Sequence, residues 1–341
     1  MLRELNEWIE KIKKESKSKK RKTALAITVT TQNFPYELKI FPIRYLEKYI
    51  CLPVGIKNDK IASRLAKYVD GKVDVIFVDA ENKLSNCKNI FKKIRKIMHH
   101  SKIYPIKGND FTADATFGIV CNVLKDPTDK KICIIGAGNI GSKVALKLLE
   151  CGAKVYIINS NKNSSLKVTK AINALKPREC VDLAKAITKK QIPLNLDCII
   201  GFTRGIPVIT KQVISKMKKN GVVIDGGSGT ISTNGITEAQ KKNLRLLKVD
   251  TRYGFLANTE LMIKSEVLMS KISGIKKFNH VNMVAGGVIG KRGDMVVDDI
   301  SKPTRLFGVA DGKGGFLVIN KSHDKNLQDS YEFVKKHLGK R

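Results

Sequence analysis

The chain has 341 residues, 42% of them hydrophobic, and carries 64 Lys and Arg against 31 Asp and Glu, a formal charge of +33. That length supports a large core and suggests two domains, the absence of any long uncharged apolar run argues against a membrane-spanning helix, and the charged opening MLRELNEWIEKIKKESKSKKRK does not read as a secretory leader. The positive balance comes mostly from lysine spread along the whole chain, beside abundant isoleucine and asparagine, so it reads as coding bias rather than as a nucleic-acid surface.

Residues 1–20 place Leu2, Leu5, Trp8, Ile9 and Ile12 on one stripe, an amphipathic helix docked on its own domain through Trp8. From Thr23 strand-like and helix-like pieces alternate. Strands are expected at 23–30, 51–56, 72–80 and 102–106, with helices at 43–50, 60–68 and 86–100. GNDFTADATFGIVCNVL (108–124) reads as a helix starting near Thr112 or Asp114. It ends before the polar KDPTDKK, whose Pro127 marks a domain boundary. A second alternation follows, with strands at 131–138, 154–160, 197–203, 221–227 and 244–250, and helices at 139–152, 165–175, 210–221 and 236–243. Near-continuous apolar strands with amphipathic helices between them indicate a parallel sheet covered on both faces. Beyond it lie a helix at 258–273, strands at 280–290 and 314–320, and a closing helix at 324–341 that could pack back on the first domain.

The predicted organisation is therefore α/β: an N-terminal α/β catalytic domain over 1–125, a Rossmann doubly wound domain over 126–285, and a segment over 286–341 closing the cleft. The seven cysteines, Cys51, Cys87, Cys121, Cys133, Cys151, Cys180 and Cys198, form no CxxC pair and several sit in apolar runs. They read as small buried side chains of a reducing, cytoplasmic compartment, with no metal site.

Gly136-Ala137-Gly138-Asn139-Ile140-Gly141 matches GxGxxG directly after an apolar strand and at the start of a helix, the context that dinucleotide binding requires. Gly136 permits the turn, Gly138 lets a pyrophosphate approach the backbone, and Gly141 lets helix and strand pack closely. An NAD site places Asp or Glu about 20 residues further on, to hold the ribose 2′-hydroxyl. Here the second strand ends on Asn159, Ser160, Asn161 and Lys162, with no acid, which favours NADP over NAD. Phe202 and Thr203, and then Gly226, Gly227 and Ser228, end two later strands and should border the ribose and nicotinamide.

The order of parts resembles the superfamily of shikimate dehydrogenase, methylene-tetrahydrofolate dehydrogenase and methylene-tetrahydromethanopterin dehydrogenase. GNDFTADATFGIVCNVL is similar to their linking helix, INSNK to the loop that holds the NADP phosphate, and DCIIGFTRGIPVITKQVISKMKKNGVVIDGG to a stretch of the folate enzymes. The resemblance implies a Lys–Asp dyad facing the cofactor. Lys57 would donate the proton, and Asp114 or Asp110 would orient it. Asn109 and Thr112 would bind substrate hydroxyls or carboxylate, and Arg252 and Tyr253, with Lys291 and Arg292, could clamp an anion. His280 is a further candidate acid, whereas His99 and His100 close a helix. The expected activity is NADP-dependent hydride transfer to or from a small polar or anionic metabolite. A methylene-tetrahydropterin-type C1 dehydrogenase and a non-catalytic dinucleotide sensor or nucleic-acid binder stay open as alternatives, and so does a homodimer.

Overall fold

The computed structural model describes residues 2–29, 37–81, 83, 89–278, 280–318 and 325–338. Cys87 and the first residues expected in the 86–100 helix lie outside them. The chain divides into two compact units, Met1–Thr259 and Glu260–Arg341. This division falls inside the 126–285 span expected from the sequence.

The first unit opens with α1 (Leu2–Ser18), β1 (Lys22–Val29), β2 (Leu38–Ile40), β3 (Arg44–Tyr45), β4 (Tyr49–Ile56), α2 (Asp59–Val69), β5 (Val75–Asp79), α3 (Ile90–Arg95) and β6 (Lys102–Ile106). The sheet runs β2-β4-β1-β5-β6, with β3 also on β4. The β4-β1-β5-β6 strands are parallel, and β2 and β3 lie antiparallel on the edge. Every residue of β4 and β5 is buried, as a parallel sheet covered on both faces demands. Leu5, Ile9 and Ile12 of α1 are fully buried in one core with Leu25, Ile27, Ile50 and Leu52, and Trp8 packs against its edge. That docking engages the apolar stripe of the basic helix. The start of α2 is fixed by Asn58, whose side chain accepts the Ile61 N–H.

Two expected helices are corrected here. Residues 43–50 form β3, a turn closed by Leu46 N–H on the Tyr49 carbonyl, and the first residues of β4. Tyr49 and Ile50 simply extend the apolar CLPVGI run against β1. Of the 86–100 helix, the described residues carry Ile90–Arg95, and residues 96–100 leave it. Beyond it, the Asp70 carboxylate collects the backbone N–H groups of His99, His100 and Ser101 at 2.8–3.0 Å and steers the chain into β6.

The unit continues with α4 (Gly108–Leu124), β7 (Lys131–Ile135), α5 (Asn139–Glu150), β8 (Lys154–Ile158), α6 (Lys162–Leu175), β9 (Lys185–Ala186), β10 (Leu196–Gly201), α7 (Lys211–Ile214), β11 (Met217–Asp225), α8 (Thr233–Lys241), β12 (Arg245–Lys248) and the first half of α9 (Arg252–Val267), the helix in which the division at Thr259 falls. The second sheet is parallel throughout, ordered β12-β11-β10-β7-β8-β9. This is the Rossmann order, and it reverses direction between β7 and β10, which places the ligand crevice at their carboxyl ends. Helix α4 begins four residues before Thr112. Its Ala113 and Val120 are buried in the same core as Ile132, Val144 and Leu148. The helix expected at 210–221 stops at Ile214, because Met217 pairs with Leu196 and starts β11.

The second unit contains β13 (Gly274–Phe278), β14 (Val281–Ala285), β15 (Met295–Val297), β16 (Leu306–Ala310), β17 (Phe316–Leu317) and α10 (Lys325–His337). These strands form a mixed sheet in sequence order. Its core joins Met283, Met295, Val297 and Val309 to Val334 of α10. The closing helix thus packs on this sheet, where the sequence had offered the N-terminal domain. Among the described residues no helix is long and apolar enough to cross a membrane.

Candidate active site

The glycine loop joins β7 to α5, and its three glycines are required for different reasons. Gly136 has φ +96°, and a Cβ there would lie 2.9 Å from the Phe202 carbonyl carbon and oxygen. At Gly141 a Cβ would stand 2.7 Å from the Gly136 oxygen and 3.2 Å from the Phe202 ring. Both are demanded by packing within the protein. Gly138 is not: its φ is −80°, and a Cβ would meet nothing within 4 Å. It is the N-cap of α5 and no side chain caps that helix. An open space beside uncapped N–H groups at a helix start fits a pyrophosphate. Asn139 is exposed and Ile140 half-buried on the first turn.

The turn after β8 contains no acid. Asn161 is occupied as the N-cap of α6, its Oδ1 accepting the Ser164 N–H at 2.8 Å. The Asn159 N–H donates to Ser165 Oγ, and its Nδ2 to Ser164 Oγ. Ser160 and Lys162 are exposed, so they are the polar side chains of this turn best placed to meet a ligand.

At the ends of β10 and β11 the backbone is tightly packed. Phe202 N–H donates to the Ile135 carbonyl, and a Cβ on Gly226 would collide with the Phe202 ring. A Cβ on Gly227 would collide with the Thr203 carbonyl, and Thr203 Oγ1 donates to the Ile206 carbonyl at 2.5 Å. Burial pushes the Asp225 carboxyl up, but hydrogen bonds from the Gly229, Thr230 and Gly227 loop outweigh it and hold it below the usual carboxylate range.

Across from the glycine helix, at the carboxyl end of β5, lies a charged cluster that the sequence reading missed. Asp79 is fully buried. It accepts the Val29 and Glu81 N–H groups at 3.1 and 3.0 Å and the Lys83 ammonium at 2.7 Å. Lys83 also reaches Glu81 at 3.0 Å and is itself only 12% exposed. Glu81 accepts the Asn109 N–H at 2.8 Å and lies 3.9 Å from Lys143 of α5. Lys143 in turn pairs with Asp110, which Lys107 holds at 2.6 Å from its other side. Burial pushes the Asp110 carboxyl up, and the two lysines overcome this and hold it below its ordinary value. A half-buried lysine clamped between carboxylates at a strand end is the usable signal, but VDAENK shows none of it as a string.

The other expected residues are dispersed. Asp114 pairs with Lys147 at 3.3 Å and accepts Asn258 Nδ2 at 2.9 Å. Lys57 follows β4 and precedes the cap of α2. Thr112 is half-buried, and its carbonyl accepts the Thr116 hydroxyl at 2.7 Å. Arg252 is bound by Asp250, and Tyr253 is exposed. Cys51, Cys133 and Cys198 are fully buried, and burial pushes the Cys133 thiol up to about 12. Among the described residues no group of His, Cys, Asp or Glu is arranged to hold a metal.

Residues 120–251 match the NAD-binding domain of the D-isomer-specific 2-hydroxyacid dehydrogenases. With the Rossmann strand order and the glycine loop, this match defines the class: the chain is an NAD(P)-dependent dehydrogenase with a nicotinamide dinucleotide cofactor. No curated protein matches its sequence significantly. Among solved structures it is similar to a dipicolinate synthase subunit from Bacillus halodurans, at 13% identity over 72% of this chain and 97% of that one, with a TM-score of 0.35. It is similar also to L-tryptophan dehydrogenase from Nostoc punctiforme, at 11% identity over 72% and 75% of the two chains, TM-score 0.42. An NADP+ complex of a shikimate dehydrogenase gives 15% identity over 71% and 90%, TM-score 0.45.

Proposed function

We propose that the protein is an NADP-dependent oxidoreductase that moves a hydride between the nicotinamide and a small polar or anionic metabolite bearing a carbonyl or imine. The observation that carries the cofactor choice is the acid-free start of α6, where Ser160 and Lys162 are exposed and Asn161 gives its side-chain oxygen to the cap. A 2′-phosphate brings negative charge to a helix N-terminus beside a lysine, and each charge-assisted contact is worth about 1.5–3 kcal/mol. The bound cofactor supplies or accepts the hydride. Gly136, Gly138, Asn139, Ile140 and Gly141 hold its pyrophosphate, and Phe202, Thr203, Gly226 and Gly227 border its nicotinamide half.

Lys83 takes the proton-donating role that the sequence assigned to Lys57. It is sheltered from solvent, and Asp79, fixed by two backbone N–H groups, orients its ammonium. Asn109, Thr112 and Asp110 border the same end of α4 and would hold the substrate. The test is a calorimetric titration with NADPH and NADH, followed by turnover assays on small 2-oxo acids, keto alcohols and imines. Tighter NADPH binding with turnover of one class is expected. Equal affinities at physiological salt would refute the NADP reading.

A further inference from the structure

Asp225 ends β11, and both its carboxylate oxygens bond one loop. Oδ1 accepts the Thr230 hydroxyl at 2.8 Å and the Gly227 and Thr230 N–H groups at 3.3 Å, while Oδ2 accepts the Gly229 N–H at 2.7 Å. These bonds fold residues 226–230 back over the strand end, through positive φ at Ser228 (59°) and Gly229 (92°). The folded loop is zipped to the one after β10. The Gly226 N–H donates to the Gly201 carbonyl at 2.9 Å, and the Thr230 carbonyl accepts the Val208 and Ile209 N–H groups at 2.8 and 3.0 Å. Ile209 and Ile231 form a parallel bridge. Thr230 is fully buried, and a Cβ on Gly201 would stand 2.7 Å from its Cβ. The two loops are therefore one surface whose shape depends on a single carboxylate.

That surface lies at the carboxyl edge of β10 and β11, past the switch point on the side away from β8, where the dinucleotide continues beyond its pyrophosphate. We infer that Asp225 is a positioning residue that holds the 226–230 loop against the Thr203 loop as the wall for the nicotinamide half of the cofactor. The inference rests on the dinucleotide reading of the glycine loop. A preformed wall spares the ordering of two loops on binding, so its loss should fall on ligands that carry the nicotinamide and spare those that end at the ribose.

The experiment compares NADPH with 2′-phospho-ADP-ribose, and NADH with ADP-ribose, by calorimetry on the full chain, with thermal melts as the check on folding. In Asp225→Ala, affinity for the nicotinamide-bearing member should fall about tenfold or more, while the fragment changes less than about twofold. Asp225→Asn keeps one acceptor oxygen and should lie between, and Thr230→Val should cause a smaller loss of the same selectivity. Should Asp225→Ala fail to fold, the latter two variants decide. Equal losses for dinucleotide and fragment, or no loss for either, overturn the inference. Absence of binding by the wild type to all four ligands would instead overturn the dinucleotide reading, and the inference with it.

Discussion

The contrast between Gly138 and Gly141 separates ligand binding from packing. At Gly138 the backbone is ordinary and the space ahead of a Cβ is empty to 4 Å, so the Cβ of Gly138→Val meets no protein atom there. No side-chain cap is lost, and the stability cost should stay within about 1 kcal/mol. The valine would, however, fill the place of a pyrophosphate. Losing two charge-assisted hydrogen bonds at about 1.5–3 kcal/mol each removes at least about a hundredfold in affinity. Gly141→Ala does the reverse. Its Cβ would stand 2.7 Å from the Gly136 oxygen, an overpacking that costs about 1–3 kcal/mol and several degrees in Tm. The assay pairs a thermal melt with a dinucleotide titration on each variant. Folded Gly138→Val protein that still binds the cofactor would refute the assignment of this loop, and a Gly141→Ala protein as stable as wild type would refute the packing argument.

Other substitutions extend the test. Lys162→Glu should shift binding from NADPH toward NADH by about tenfold or more, read by titration of both cofactors. Lys83→Met should lower kcat by about a hundredfold with cofactor affinity little changed, while Lys57→Ala should have the smaller effect on kcat. In the second unit, burial pushes the Asp298 carboxyl up, but the Thr304 hydroxyl and the Arg305 and Thr304 N–H groups lower it to about 2. Its folded value lies below the ordinary 3.8, so the bonds stabilise fully above that pH and are lost as pH falls through about 2. Acid unfolding followed by circular dichroism should show this dependence in the wild type and a flatter one in Asp298→Asn.

The Rossmann half was legible because its signals are local. Runs such as KICIIG and DCIIG must be buried on both faces, and the glycine spacing states its own geometry. The 43–50 segment misled because a short apolar run carries no decisive period, and its pairing with distant β1 settled the matter. The strands of the second unit are three to five residues long, apart from the two-residue β17, too short to show alternation. The site was legible only where one loop makes it. Asp79, Glu81 and Lys83 acquire meaning from Asn109 and Lys143, which lie some 25 to 65 residues away. Asn161, expected from the sequence to meet the cofactor, also gives its side-chain oxygen to the start of α6.

The face of the first sheet on Phe77 is finished by a residue synthesised long after it. Phe255 of α9 stands edge-on to Phe77 at 6.5 Å and to Phe111 at 5.4 Å, and all three rings are buried. Gly254 is what allows the approach, since any Cβ there would collide with the Phe111 carbonyl. During translation the N-terminal segment therefore leaves the ribosome with an aromatic face uncovered, and keeps it uncovered until the whole nucleotide-binding region has followed. The earlier segment reaches its final solubility only when the later one brings Phe255 back, so lesions that delay the Rossmann segment should be felt as aggregation of residues that precede it.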